Sequence, residues 1–493
     1  MADGTRVRPI LPYAFARQHG VVLDGDAGGP VCALRPDAAV AALVEARRIA
    51  GPGLRYQPLD REAFEARMAA TYRDTAADAS DAAGADSDLS ALADATAEVD
   101  DLLDQSGDAP VVRLINALLL EAIKENASDI HIETQERRLV VRFRIDGFLR
   151  EMVVPKRALA PLLVSRIKVM ARLDIAEKRM PQDGRVSLRV GRHEVDVRVS
   201  TIPSQYGERV VMRLLDRSST RLGLDRLGMS GRDLRVFTQL LARPDGMLLV
   251  TGPTGSGKTT SLYAALDHLN DQTRNIMTVE DPIEYDLDGV GQTQVNARIE
   301  MTFARALRAI LRQDPDVIMI GEIRDLETAQ IAVQASLTGH LVLAPLHTND
   351  SVGAVTRLVD MGIEPFLVAS SLLGVLAQRL VRRLCPHCRR AHTPDAAECR
   401  MLQINPVEAA RTPVYTAAGC EACNHTGYQG RTGIFELLQI DEPLRAQIHD
   451  GAAETRLREH ARLQGMMTIR EDGLRWVRAG HTSIEEVLRV TRE

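Results

Sequence analysis

The chemistry of this chain starts in one segment, Met247 to Thr260, which reads MLLVTGPTGSGKTT. Gly252-Pro253-Thr254-Gly255-Ser256-Gly257-Lys258-Thr259 has the spacing of a phosphate-binding P-loop, and Thr260 continues it into the helix that such a loop opens. Met247–Val250 supplies the apolar strand that must precede it. Glycines at 252, 255 and 257 let the backbone close around phosphate oxygens with its N–H groups turned inward. Lys258 is expected to reach the β- and γ-phosphates, and the Thr259 hydroxyl to bind Mg²⁺. The segment predicts a nucleoside triphosphate site.

Hydrolysis requires more than binding. It needs carboxylates for the metal and the attacking water, and positive charge for the transition state. Val317-Ile318-Met319-Ile320-Gly321-Glu322 is an apolar strand that ends in a carboxylate, and Thr278–Glu284 ends another with Glu280, Asp281 and Glu284. Glu280 and Glu322 are the candidates for water activation and Mg²⁺ binding. His340 and His347 bracket a third apolar strand, where a γ-phosphate sensor would stand.

Four of the six cysteines form two C-x₂-C knuckles, Cys385/Cys388 and Cys420/Cys423, with 31 residues between them. In a reducing compartment this pattern predicts a structural zinc site of four thiolates. The spacing exceeds that of a simple ribbon, so the intervening chain must loop out. Cys32 and Cys399 read as inert thiols. Arg379, Arg382, Arg383, Arg389 and Arg390 form a basic run without interleaved stacking aromatics. That favours a subunit contact or an anionic lipid surface over nucleic acid.

The elements that must position these groups fill a chain of 493 residues, too long for one core. At 45% hydrophobic and 26% charged, its composition is that of a globular protein. No apolar run reaches the roughly 18 residues of a membrane span, and the first residues lack a signal-peptide core. A cytoplasmic chain with at most peripheral membrane contact is expected. Residues 74–108 carry eleven Asp or Glu and no Lys or Arg, and without them the net charge of −6 becomes +5. This acidic Ala/Asp/Ser stretch predicts a flexible linker, with a short helix near Leu89–Leu103.

Before the linker, residues 1–73 form a small partner-docking domain, with helical stretches at Asp37–Arg48 and Asp60–Tyr72. After it, residues 109–225 read as an α+β domain. Leu139–Ile145 alternates and ends in Asp146-Gly147, and two valine-rich strands flank Gly191-Arg192, so two hairpins surround a helix over Leu162–Leu173. From 226 to 384 helices alternate with apolar strands at Met247–Thr251, Ile276–Glu280, Val317–Ile320 and Leu341–Ala344, as in a parallel α/β sheet. The cysteine subdomain (385–432) and a helical region (433–493) complete a multidomain α/β chain.

With these residues in place, the sequence resembles the secretion and pilus-assembly ATPases, and within them the type II secretion branch. The resemblance runs from Ala109 onward through Ser128–Glu133, Arg198–Pro203, the P-loop, 278–284, Gly321–Asp325, the four cysteines and Gly427–Ile434. Leu11–Arg17 resembles the type II version of the N-terminal domain, which docks on the cytoplasmic region of an inner-membrane secretion-platform protein. The resemblance implies a RecA-like core preceded by a PAS-like domain, ATP with Mg²⁺, zinc, and a homo-hexamer. It also implies that Arg198, Arg213, Arg308 and Arg312 face the phosphates, a task suited to the planar guanidinium fork. Ala344-Pro345 departs from the Ser-Thr that the family usually carries before His347. A pilus-extension or DNA-uptake ATPase, and an ATP-gated scaffold with little turnover, remain open as alternatives.

Overall fold

The computed structural model describes most of residues 19–64 (27–28, 52 and 62 excepted), single neighbours at 11, 16, 67, 68 and 71, and 108–492 apart from 191–192, 217–222 and 410. The acidic linker up to 107, its expected helix and most of Leu11–Arg17 lie outside the described residues. Two compact units emerge: Met1–Glu121 with Thr134–Val141 and Met152–Arg166, and Ala122–Glu133 with Arg142–Glu151 and Ile167–Glu493.

In the first unit, β1 (Val21–Asp26) and β2 (Gly29–Leu34) pair antiparallel, and β2 pairs in parallel with β3 (Arg55–Pro58). Helix α1 (Val40–Ala50) packs Ala42 and Ala46 onto Val21, Leu23 and Cys32. The Asp24 carboxylate there takes both arms of Arg67, at 2.7 and 2.9 Å, and the Thr71 hydroxyl at 2.9 Å.

Helix α2 (Asp108–Lys124) leads into β4 (Ala127–Thr134), β5 (Leu139–Ile145) and β6 (Phe148–Val153). The β5–β6 turn is Asp146-Gly147 with φ of 48° and 88°, the twist that a two-residue hairpin requires and the reason Asp-Gly marks one. Helix α3 (Ala160–Met170) is followed by β7 (Gln182–Val190), β8 (His193–Ser204) and β9 (Gly207–Asp216). These strands form a six-stranded sheet in the order β6-β5-β4-β9-β8-β7.

The larger sheet begins after helix α4 (Gly231–Leu241), with β10 (Gly246–Thr251) and helix α5 (Lys258–Leu269). It continues through β11 (Ile276–Glu280), β12 (Gly291–Gln294), helix α6 (Phe303–Ile310), β13 (Val317–Ile320), helix α7 (Leu326–Leu337) and β14 (Leu341–Leu346). Helices α8 (Ser351–Asp360) and α9 (Pro365–Ser371) precede β15 (Leu372–Leu384). The order is β12-β11-β13-β14-β10-β15 with all pairs parallel, plus an antiparallel edge strand over Tyr428–Gln439. Both faces are covered, which is why β10, β13 and β14 are buried throughout and read as continuous apolar runs. Alternate residues feed two cores: Met247, Leu249, Ile318 and Val342 enter one, and Leu248, Val250, Met319 and Leu343 the other.

Strands at Leu372–Leu384 and Tyr428–Gln439 were not anticipated. The second runs into the stretch expected to be helical from 433, and the four helices begin only at Glu442. Ile434–Leu438 is a short apolar run without strict alternation, which sequence period alone does not assign to strand or helix. Pro345 is accommodated because β13 pairs with β14 only as far as Leu343, while β10 pairs through Leu346. Among the described residues no helix is long and apolar enough to cross a membrane.

Leu249 has no exposed surface, whereas Leu463 is 86% exposed. Leu249→Ala should lower the unfolding free energy by about 2–5 kcal/mol, and Leu463→Ala by under about 0.5 kcal/mol. Both are measured by denaturant titration.

Candidate active site

Because the core strands are parallel, their carboxyl ends share one edge, and the P-loop, Glu280, Glu322 and His347 all follow strands that end there. Gly257, left-handed at φ 88°, turns the loop into α5. Gly252 sits at φ 144°, and a Cβ there would come within 2.4 Å of the Gln378 carbonyl. Gln378, buried in β15, braces the loop from below. Its Nε2 donates to the Ser256 carbonyl at 2.8 Å, and its Oε1 accepts from the Ser261 hydroxyl at 2.7 Å. Lys258 Nζ donates to the carbonyls of Gly252 and Pro253 at 2.7 and 3.1 Å. Burial lowers its pKa, opposed by the charge of Glu322. Thr259 is exposed in the first turn of α5.

The loop fits a phosphate group on two counts. Gln378 leaves no room for a side chain at Gly252, where its carbonyl is in the way, or at Gly257, where its Nε2 is, and the buried Ser256 hydroxyl has no partner among the described residues. Thr251 Oγ1 lies 2.7 Å from Thr348 Oγ1 and accepts from the Thr348 amide at 2.9 Å, which ties the end of β10 to the segment carrying His347.

The two carboxylates occupy different surroundings. Glu280 is 3% exposed. Its Oε1 accepts from Thr278 at 2.5 Å and Gln292 at 3.1 Å, and its Oε2 accepts from the Tyr263 hydroxyl. Glu322 is more open, pairing with Arg324 at 2.6 Å and standing 3.3 Å from His347. The Arg324 guanidinium bond, assisted by the charges of His347 and Lys258, holds the Glu322 carboxyl below its ordinary range against the effect of burial.

Arg198 donates to the Ile283 carbonyl at 2.6 Å and pairs with Glu284 at 3.0 Å, beside Arg185, which donates to the same carbonyl at 3.0 Å. Both arginines, from β8 and β7, thus grip the acidic loop after β11. The remaining candidates are not gathered at the P-loop within one chain. Arg213 binds Asp129 at 3.0 Å, Arg308 binds Glu327 at 2.6 Å, and Arg312 donates to the Arg308 carbonyl at 2.8 Å. His340 stands just before β14, about 23 Å from His347 for seven residues at the strand rise, and its ring nitrogen lies 2.9 Å from the Ala335 carbonyl. With Arg308, Glu327 and Thr338 it lines a separate cavity of about 380 Å³.

Of the basic run, Arg382 pairs with Glu486 at 2.7 Å and lies over the Tyr428 ring at 4.0 Å. Arg389 binds the Gly480 carbonyl and covers Tyr415. Arg382 is half-buried by these contacts, while Arg383, Arg389 and Arg390 remain exposed.

Cys385, Cys388, Cys420 and Cys423 converge with all four sulfurs within 4.8 Å of one another. Sulfur pairs lie 3.8 to 3.9 Å apart, matching the roughly 3.8 Å edge of a tetrahedron with 2.3 Å metal–sulfur bonds. Amides of Gly419, Cys420 and Gly427 donate to these sulfurs at 3.2 to 3.3 Å. Burial opposes the Cys423 thiolate, but the amides of Cys420 and Gly427 bring its pKa down to about 6. The donor set fits a thiophilic ion.

A phosphate loop with acidic strand ends at the same sheet edge defines a P-loop nucleoside triphosphatase. Residues 104–489 match the family described as type II/IV secretion system protein, and residues 10–72 match an N-terminal domain of GSPII protein E. The chain belongs to the type II/IV secretion system protein family. It is 60% identical to type II secretion system protein E of Pseudomonas aeruginosa, over 98% of this chain and 96% of that one. With the type II secretion system ATPase E of Vibrio cholerae it shares 56%, over 98% and 97%. Among solved structures it is similar to the pilus retraction motor PilT with bound ADP, at 25% identity and a TM-score of 0.53, covering 77% of this chain and 97% of that one.

Gln378 was invisible in sequence because it lies 122 residues from the loop it supports. Gln378→Leu leaves a buried carbonyl and hydroxyl unpaired, and should raise KM for ATP about tenfold in steady-state phosphate-release assays.

Proposed function

We propose that this chain is the ATPase motor of the type II secretion system, coupling Mg²⁺-dependent ATP hydrolysis to pseudopilus assembly and export of folded proteins. The observation that carries the reading is identity of 56–60% to type II secretion E proteins across nearly the whole chain, a span that takes in the P-loop and both acidic strand ends. The P-loop backbone and Lys258 bind the β- and γ-phosphates, and Thr259 with Glu322 holds Mg²⁺. The metal supplies neutralisation of charge on the phosphate oxygens. Glu280 orients the attacking water, and His347 stands beside Glu322 at the γ-phosphate position.

Arg198, Arg213, Arg308 and Arg312 are spread over both the second domain and the core, an arrangement suited to a homo-hexamer in which subunits complete one another's sites. Residues 1–73 dock on the cytoplasmic region of an inner-membrane platform protein and 74–108 tether them. The PAS-like domain (109–225), the RecA-like core (226–384) with its edge strand at Tyr428–Gln439, the zinc-binding segment from Cys385 to Cys423 and the helices from Glu442 onward form the motor. The protein then acts at the inner face of the inner membrane, where the basic run favours anionic lipid over nucleic acid as a secondary contact. Closure of the second domain on the core converts phosphate release into work on the platform.

Lys258→Ala should abolish ATP turnover while leaving the thermal midpoint unchanged. In the native host it should trap secreted enzymes in the periplasm and spare surface pili; lost pili with normal secretion would move the protein to the pilus branch.

The four thiolates bind zinc in a closed, structural site. Purified protein should hold one zinc per chain. Stripping it with a thiol-reactive mercurial and a colorimetric chelator should lower the thermal midpoint, and Cys423→Ala should abolish stoichiometric metal.

A further inference from the structure

Tyr263 lies on α5 a little over one turn beyond Lys258 and is 1% exposed. Among the described residues it alone donates to Oε2 of Glu280, while Thr278 and Gln292 both serve Oε1. The same phenol oxygen accepts from the Glu284 amide at 3.3 Å. Its ring meets Tyr285 edge-on, with centroids 4.6 Å apart. The residue before Glu284, Ile283, offers the carbonyl that Arg185 and Arg198 share, and the Glu284 side chain pairs with Arg198 at 3.0 Å. One hydroxyl therefore joins the phosphate-binding helix, the buried carboxylate and the loop gripped by the second domain.

We infer that Tyr263 is a positioning residue for hydrolysis: its hydroxyl fixes the Glu280 carboxylate against α5 and ties it to the loop held by Arg185 and Arg198. The inference rests on the reading that Glu280 serves the attacking water. Burial and the adjacent Glu280 charge push the phenol pKa upward, so the hydroxyl keeps its proton and donates throughout the working pH range. Without the phenol, only the Thr278 and Gln292 bonds to Oε1 restrain rotation about the Cγ–Cδ bond, and Oε2 is aimed less tightly. Phenylalanine preserves the ring, its burial and its contact with Tyr285, and removes the hydroxyl's bonds to Glu280 and the Glu284 amide together with a long 3.5 Å contact from Gln292, which keeps its bonds to Glu280 Oε1 and the Tyr285 carbonyl.

The test is a double-mutant cycle in the full-length protein. Tyr263→Phe, Glu280→Gln and the double variant are compared under single-turnover conditions, so that slow rates stay measurable. Tyr263→Phe should lower the hydrolysis rate by about 10- to 100-fold with KM for ATP within about twofold of wild type. The double variant should be no slower than Glu280→Gln alone, because the tether has nothing left to aim. A Tyr263→Phe rate within about twofold of wild type overturns the inference. So does a double variant slower by the product of the single losses, or a rise in KM that matches the fall in rate. Glu280→Gln hydrolysing at the wild-type rate would instead remove the role given to Glu280 itself, a result read from that single variant without reference to Tyr263.

Discussion

In a parallel sheet every strand delivers its carboxyl end to the same edge, and here that constraint assembles the chemistry. β10 delivers the P-loop, β11 delivers Glu280, β13 delivers Glu322 and β14 delivers His347. None of these residues is near another in sequence, and none could reach the others if one strand were reversed. The cost of such a sheet is burial on both faces, met by the two apolar cores that divide alternate strand residues between them. The antiparallel strand at Tyr428–Gln439 is added at the outside, where its direction does not disturb the shared edge.

At that edge, two glutamates of the same chemistry are given different work by their surroundings. Glu280 is sunk among neutral donors, and their hydrogen bonds set its orientation. Glu322 sits among cations and near-cations, with Arg324, His347 and Lys258 all favouring its ionised form. A group set by neutral donors is suited to holding a geometry. One set by mobile positive charge is suited to exchanging partners as a metal and phosphates come and go.

Much of this was legible in the sequence because the relevant signals are local. The P-loop is eight consecutive residues, the acidic strand ends are each one short run, and Asp146-Gly147 names its own turn. The four strands expected in the core fall where an apolar run is bounded by polar residues. What escaped is held by distance. Tyr263 acts across 17 residues and Gln378 across 122, and neither belongs to a motif. The two histidines of β14 look like a pair in sequence, yet a strand's rise sends them to opposite sheet edges. Within the arginine run, composition did not separate Arg382, half-buried by stacking on Tyr428 and pairing with Glu486, from Arg389, which stays exposed over Tyr415.

The four-cysteine cluster stands where β15 ends and shortly before the antiparallel edge strand begins, and those strands are zipped together from Gly374/Gln439 to Leu384/Tyr428. Between the two knuckles, the described residues form only the small β-pair Arg390–His392 with Val414–Thr416 and two short helices. The entrance and exit of that segment are fixed by the zipped strands and the converging sulfurs, independently of what lies between. Its ends are already closed, so lengthening it adds little further loop entropy, but Leu402 and Val414 within it pack in one core with Ala377, Val381 and Ile434. The segment is thus a graft point only at its exposed turns, where added residues leave those two anchors, and the sheet they pack on, in place.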